Sequence, residues 1–213
     1  MWIAGDEQAS YSSPTTIDIN GKAHALFVTR YNVVLLDPTN GKVVARTPFG
    51  QRGPTVNAAT PLVIGANIFL TASYGIGAVL LKPAQGKFEA LWSGDDVLSS
   101  QYNTPVEKDG FIYGVHGRED IGRAALRCVE ASSGKVKWTE DDFGVAHLIA
   151  AGDKLLLVRI NGELMLAQAS PEKFESLASF RAFTGTTRAI PALANGMLFA
   201  RDDKQLKCIA VGK

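Results

Sequence analysis

The sequence has little cysteine, little charge imbalance and no long apolar run. Its 213 residues include two cysteines, and the formal net charge is +1. Without clustered Lys and Arg, the chain lacks the basic surface that nucleic-acid binding needs. No apolar run approaches the roughly 18 residues of a membrane span. The N-terminal residues also lack the charged start and apolar stretch of a signal peptide. Composition therefore argues against nucleic-acid and membrane-spanning functions.

Helical periodicity is also scarce, whereas glycine is abundant, with 21 residues. No stretch of about ten residues or more repeats its apolar positions with a helical period. Turn pairs such as Asn20-Gly21 and Asp109-Gly110 recur along the chain. These pairs favour many short strands joined by tight turns. The sequence therefore predicts an all-β fold.

One sequence unit repeats along the chain. Its clearest copy runs from Leu126 to Trp138, as an apolar strand, a turn through Gly134-Lys135 and a second strand. The turn glycines Gly41, Gly86 and Gly134 lie 45 and 48 residues apart. A degenerate fourth copy follows, and a fifth reaches the end of the chain. A period of this length is typical of repeat architectures.

A proline marks the start of most repeats, about 25 residues before each turn. These prolines are Pro14, Pro61, Pro105 and Pro191. Proline suits the first residue of a strand, where no ladder N–H is needed. Each repeat then has four strands, a to d. Strand a begins at the proline, b follows a hairpin turn such as Asn20-Gly21, c leads into Gly-Lys and d leads out of it.

Four-stranded units repeated in this way predict a β-propeller, or a propeller arc, of about five blades. We expect one domain over residues 1–213. The predicted blades span approximately 9–50, 55–94, 99–143, 145–184 and 186–213. The chain opens with a d-like strand at Trp2 and closes after a strand c. The fifth blade would be completed by a strand near residues 1–4 or by another chain. The three tryptophans are expected to pack between blades.

The stretch from Leu126 to Trp138 resembles the repeat of pyrroloquinoline-quinone (PQQ) propellers. The family's Asp-x-x-Thr-Gly-Lys turn is most similar to residues 37–42 here, Asp-Pro-Thr-Asn-Gly-Lys. The resemblance covers nearly the whole chain. It implies a propeller fold and PQQ and Ca²⁺ as possible cofactors. Members of the family usually work in the periplasm or elsewhere outside the cytoplasm, but this sequence shows no signal peptide, so the location of the chain stays open. It also implies that this chain is the C-terminal part of a larger propeller.

The family includes quinoprotein dehydrogenases and also scaffold propellers that bind no quinone, such as bacterial outer-membrane assembly lipoproteins. The dehydrogenases carry a disulfide between adjacent cysteines beside the quinone. This chain has no such pair, because Cys128 and Cys208 occupy the same strand c position two repeats apart. That separation exceeds the roughly 7 Å between Cα atoms that a disulfide tolerates. We expect both cysteines to be free thiols buried in strands.

In this fold the d–a and b–c loops share one face, around the mouth of the propeller axis. Residues just before strand a lie nearest the axis, and here they are polar, aromatic or cationic. Amides and an arginine there could bind the carbonyls and carboxylates of a planar anionic cofactor. The alternative is the polar lining of a water-filled channel. The candidate cofactor-binding residues are Tyr11, Asn57, Tyr102, Asn103, His147 and Arg188.

Carboxylates in the d–a loops could also bind Ca²⁺, which takes six to eight oxygen ligands. The weak candidates on this rim are Asp95, Asp96, Asp141 and Asp142. The alternative is that these acids are solvated loop residues. No catalytic residue is assigned.

We expect a non-catalytic binding or scaffold module, with a protein partner or with self-association. One alternative is a quinone-binding, dehydrogenase-like domain with its cofactor at the axis mouth. Another is a fragment that self-associates through open blade edges. The absent cysteine pair and the lack of an acid–base or metal cluster favour the first hypothesis.

Overall fold

The computed structural model describes residues 1–53 and 56–212, and all regular structure in these residues is β. The strands form five antiparallel sheets, numbered here in chain order. Sheet 1 contains β1 (Thr15–Ile19), β2 (Lys22–Val28), β3 (Asn32–Leu36) and β4 (Val43–Pro48). Sheet 2 contains β5 (Leu62–Ile64), β6 (Asn67–Ala72), β7 (Gly77–Ala84) and β8 (Lys87–Gly94). Sheet 3 contains β9 (Val106–Lys108), β10 (Phe111–Arg118), β11 (Arg123–Glu130) and β12 (Val136–Glu140).

Sheet 4 contains β13 (Ala146–Ala151), β14 (Lys154–Arg159), β15 (Glu163–Gln168) and β16 (Ser176–Arg181). Sheet 5 has three strands, β17 (Ala192–Ala194), β18 (Met197–Arg201) and β19 (Leu206–Ala210). The strands of each sheet pair in sequence order. The predicted all-β fold of five repeated units is confirmed. No helix that could cross a membrane occurs in the described residues.

Local sequence determines where the strands start and turn. Strands β1, β5, β9 and β17 each begin directly after a proline, as predicted. The hairpin turns between strands a and b use residues with positive φ, such as Asn20 (55°) and Gly21 (77°). Two consecutive positive φ values define a type I′ turn, whose twist matches that of the strands. Proline together with Asn-Gly or Asp-Gly therefore marks the a–b hairpins of sheets 1, 3 and 5.

Strands c and d share one irregularity in the four complete sheets. The pairing shifts by one residue between Leu35 and Leu36 and at the corresponding positions of the other three sheets. A bulge of this kind bends the strand and increases its twist. The four units therefore agree in detail as well as in strand order.

Apolar side chains between successive sheets form the core. Tyr113 and Cys128 of sheet 3 pack against Leu155 and Leu157 of sheet 4, and all four are essentially inaccessible to solvent. Comparable clusters lie between sheets 1 and 2, 2 and 3, and 4 and 5. Sheets 2, 3 and 4 therefore depend on a neighbour at each side to bury their two faces.

Each tryptophan packs on the c–d turn of the following sheet. Trp92 of β8 donates its indole N–H to the carbonyl of Ala131 at 2.8 Å, and its ring lies over Gly134. Trp138 of β12 donates in the same way to Ser170 at 2.9 Å. The prediction that tryptophans pack between blades is confirmed for both residues. Trp2 makes the equivalent contact on sheet 1, with its indole N–H 3.0 Å from the carbonyl of Pro38.

The two ends of the chain differ from the predicted pattern. Among the described residues, positions 1–14 form no strand, and nothing pairs with the outer edge of β19. Completion of the fifth blade by residues 1–4 stays a prediction. Cys208, predicted to be buried, is exposed, because within residues 1–53 and 56–212 no sheet covers that face of sheet 5, whereas Cys128 is buried as predicted. The predicted blade limits at residues 55 and 213 lie outside the described residues.

Candidate functional site

Four of the predicted mouth residues come together, from the segment before sheet 3, the start of β13 in sheet 4, and the segment before sheet 5. The rings of Tyr102 and His147 lie 6.0 Å apart between centroids. His147 Nε2 lies 2.9 Å from the carbonyl oxygen of Arg188, and its Nδ1 lies 3.4 Å from Asn103 Nδ2. Because a carbonyl oxygen only accepts, Nε2 donates the proton and Nδ1 accepts from the Asn103 amide. The imidazole is therefore fixed by a bond on each side.

A glutamate that was not among the predicted cofactor-binding residues completes this mouth cluster. Glu119, in the b–c loop of sheet 3, accepts from Arg188 Nε at 3.2 Å and from Arg188 Nη2. The phenol of Tyr102 donates to the same carboxylate at 2.6 Å. A two-point Arg–carboxylate pair is geometrically specific and strong for a hydrogen-bonded pair. The charge of Arg188 is thus already matched within the protein.

The electrostatics of the mouth cluster follow from these contacts. Hydrogen bonds from Arg188 hold the pKa of Glu119 below its usual range. Burial, with the bond to Glu119, raises the pKa of Tyr102 above its usual range. Burial lowers the pKa of His147. Near neutral pH the cluster therefore contains a charged Glu119, a neutral Tyr102 and a neutral, buried His147.

A second set of contacts, made of hydrogen bonds, an ion pair and a cation–π contact, connects loops of the same rim. The guanidinium of Arg118 lies 4.0 Å from the ring centre of Tyr74 and pairs with Asp120. Gln101 donates to the phenol oxygen of Tyr74 at 2.9 Å and to Asp120 at 3.2 Å. The d–a and b–c loops of neighbouring sheets are therefore joined by side chains as well as by packing.

The other two predicted mouth residues lie outside this cluster. Tyr11 is exposed. Asn57 is buried between sheets 1 and 2, where its amide donates to the carbonyls of Thr29 at 2.8 Å and Phe49 at 2.9 Å. Satisfying main-chain carbonyls in this way stabilises the loops that carry them. Asn57 therefore has a structural role in the first two sheets.

The predicted rim acids are Asp95, Asp96, Asp141 and Asp142. Asp95 accepts from the hydroxyl of Ser99 at 2.5 Å, and the main-chain carbonyl of Asp96 accepts from Arg127. Asp141 and Asp142 line a surface depression that also contains Arg127. Within residues 1–53 and 56–212, no three His, Cys, Asp or Glu side chains come together as a metal site. Calcium binding by these acids stays a prediction.

These features define an arc of five propeller blades, and hydrogen bonds and ion pairs between polar side chains connect the loops at its mouth. A family model described as "Outer membrane protein assembly factor BamB" matches residues 2–140. The chain belongs to this family of PQQ-like repeat propellers. A comparison with the curated proteins found no match.

Three solved structures share the fold at low sequence identity. BamB from Moraxella catarrhalis has a TM-score of 0.68 and 13% identity, over 94% of this chain and 57% of that chain. Quinohemoprotein alcohol dehydrogenase from Comamonas testosteroni has a TM-score of 0.65 and 10% identity, over 95% and 42%. The computationally designed Ika8 protein has a TM-score of 0.63 and 11% identity, over 94% and 59%. The chain thus spans less than two thirds of each of these proteins.

Proposed function

We propose that this chain is a non-catalytic protein-binding module that acts as a scaffold in an assembly. An apolar face of sheet 5, exposed in the part of the chain that the structure describes, carries this proposal. Met197 and Phe199 are 40% and 41% exposed on β18, and Leu206 is 73% exposed on β19. Phe199 is paired with Cys208 and Met197 with Ala210, so these side chains share one face of the sheet. Contiguous exposed apolar surface is characteristic of protein–protein contact sites.

Two further observations support a binding role. The family is described as an outer membrane protein assembly factor, and we extend an assembly role to this chain as part of the proposal. At the mouth, Arg188 is paired with Glu119, and His147 is bonded on both sides. A cofactor carboxylate at this mouth would have to displace Glu119 from Arg188. The alternative of a quinone-binding domain stays a prediction.

Site-specific photo-crosslinking tests the proposal. We would replace Phe199 by a photoreactive phenylalanine analogue and irradiate the protein in extracts of its source cells. The matched control carries the same analogue at Ile121, which is 56% exposed in the b–c loop of sheet 3. We expect a discrete protein adduct at position 199 and none at 121. Equal labelling at both positions, or no adduct at 199, would overturn the proposal.

A further inference from the structure

Arg127 of β11 is a half-buried arginine without a carboxylate partner. Its Nη1 donates to the main-chain carbonyls of Asp96 and Val97, the second at 3.0 Å. Its Nε is buried without an acceptor, and none of the ion pairs among the described residues includes its guanidinium. Arg118 and Arg188 each pair with an acid instead. Because burying a cation without a counterion costs free energy, we expect Arg127 to accept an anionic group from another molecule.

His116 of β10 supplies a second donor on the same face of sheet 3. Ala125 lies opposite His116, and Arg127 lies two residues further along β11, so His116 and Arg127 are neighbours on one face. Nδ1 of His116 accepts from the main-chain N–H of Ser99 at 3.0 Å, which leaves the proton of the neutral ring on Nε2. Burial and the charge of Arg127 lower the pKa of His116, so the ring is neutral near pH 7. In the described part of the chain, Nε2 has no acceptor.

Both donors line one depression at the loop end of sheet 3. Its volume of about 480 Å³ is in the range of small-molecule sites. Sheets 2 and 4 cover the two faces of sheet 3, so the depression lies within the stacked part of the arc. Its charged side chains are of both signs, and no ion pair joins them to one another within the residues described. These charged residues are Arg123, Arg127, Asp141 and Asp142, and the apolar lining residues are Ile121, Ala124 and Ala125.

The two signs of charge restrict the kind of ligand. A simple anion would be repelled by the two acids of the depression, and a simple cation would be repelled by its two arginines. A ligand with neighbouring carboxylate and ammonium groups satisfies both sets of side chains. Ile121 is 56% exposed and offers apolar contact to an aliphatic group. The depression therefore fits a small zwitterion with an aliphatic side chain.

We propose that this depression binds the zwitterion of an aliphatic α-amino acid. The ligand carboxylate accepts hydrogen bonds from Arg127 and from Nε2 of His116. The ligand ammonium lies beside Asp141 and Asp142, and the aliphatic side chain packs on Ile121. Main-chain carbonyls hold the guanidinium in place before the ligand arrives, which lowers the entropic cost of binding. This site goes beyond the proposed protein-binding function and involves no residue of sheet 5.

Proton NMR of the histidine rings during a titration with L-leucine tests this inference. The chain has three histidines, and a His116→Gln variant assigns the His116 signal. We expect that signal to shift saturably, whereas His24 in β2 and His147 in β13 should not respond. L-Leucinamide lacks the carboxylate and N-acetyl-L-leucine lacks the ammonium group. Each should therefore bind at least about tenfold more weakly than L-leucine.

Two variants each remove one side of the site. Arg127→Gln removes the guanidinium, and Asp141→Asn removes a carboxylate from an exposed position at little risk to the fold. Each should weaken L-leucine binding at least about tenfold. Lys137→Gln is the control, because it removes an exposed charge that does not line the depression, and it should bind as the wild type does. Circular dichroism would establish that each variant remains folded.

Three outcomes would overturn the inference. The first is a His116 signal that does not shift with L-leucine up to about 10 mM. The second is equal binding of L-leucine and either analogue, because the site would then not recognise both charges. The third is unchanged binding by folded Arg127→Gln or by Asp141→Asn.

Discussion

At the scale of single residues, glycine at the c–d turn makes the contact between blades possible. Gly134 has a φ of +73°, and an added Cβ would lie 2.8 Å from the ring of Trp92. Gly41 has the same relation to Trp2, with a φ of +74° and a Cβ position 2.3 Å from the ring. Both the positive φ and the approach of the indole require a residue without a side chain. The recurrent Gly in the sequence thus reflects packing as well as turn geometry.

We therefore expect Gly134→Ala to destabilise the fold more than Gly86→Ala. Gly86 has a similar φ of +76°, but no atom lies within 4 Å of its added Cβ. Both variants incur the cost of a left-handed conformation, about 1–2 kcal/mol. Gly134→Ala adds overpacking against Trp92, about 1–3 kcal/mol more. Urea unfolding of the two variants measures the difference, and equal losses would contradict the proposed role of the indole contact.

A second residue-scale prediction concerns the pH dependence of stability. The folded-state pKa of Glu119 is lowered by Arg188, so their contact stabilises the fold above the unfolded pKa of about 4.3. This stabilisation is lost as pH falls through the folded-state pKa. Between about pH 5 and pH 3, wild-type stability should fall more steeply than that of Glu119→Gln. Unfolding midpoints measured across that range test the prediction.

The control for this prediction is Glu172→Gln, because Glu172 is exposed in the turn before β16. That variant should retain the pH slope of the wild type. A Glu119→Gln slope identical to the wild type would show that the Arg188 contact contributes nothing in solution.

At the scale of strands and sheets, the sequence predicted what local chemistry determines. Proline placed the start of most strands a, and Asn-Gly or Asp-Gly placed three of the five a–b turns, because both act within a few residues. Contacts between distant loops were not predictable in this way. Glu119 and Arg188 are 69 residues apart, and only the stacking of sheets brings them together. The sequence signal that could have placed Glu119 at the mouth was its position in an acidic b–c loop, because b–c and d–a loops lie on the same face of the propeller.

The exposure of Cys208 shows the same limit. The residues around Cys128 and Cys208 are similar, and the sequence predicted burial for both. Burial depends on a following sheet, which sheet 3 has and sheet 5 lacks in the described residues. A repeat therefore predicts the environment of its residues only where both neighbouring sheets are present.

Hydrogen exchange should distinguish the last sheet from its neighbour. The three strands of sheet 5 alternate exposed and partly or fully buried residues, whereas β14 and β15 of sheet 4 are largely buried. Segments with few buried contacts open locally at low free energy. Peptides covering 192–210 should exchange before those covering 154–168 at low protein concentration. Similar exchange rates in both regions would contradict the view of sheet 5 as a sheet with one uncovered face.

At the scale of the whole molecule, the mouth determines whether the arc could hold a planar anionic cofactor. Tyr102, Asn103, His147 and Arg188 lie together there, but their polar groups bond to one another and to Glu119. A ligand would have to exchange these bonds for its own, and a Glu119 displaced from Arg188 would keep only the hydrogen bond from Tyr102 and would repel an anionic ligand. Such an exchange gives little net binding free energy.

We therefore expect pyrroloquinoline quinone, with or without Ca²⁺, to show no saturable quenching of tryptophan fluorescence up to about a millimolar, roughly −4 kcal/mol of binding free energy. Glu119→Ala is the informative variant, because it releases Arg188 without removing any predicted ligand of the cofactor. Weak saturable binding gained in Glu119→Ala and lost again in Glu119→Ala/Arg188→Ala would show that Glu119 occupies the anion site of the wild type. Micromolar binding by the wild type, lost in Arg188→Ala, would instead favour the quinone-binding alternative, because the cofactor would then outcompete Glu119 for the guanidinium.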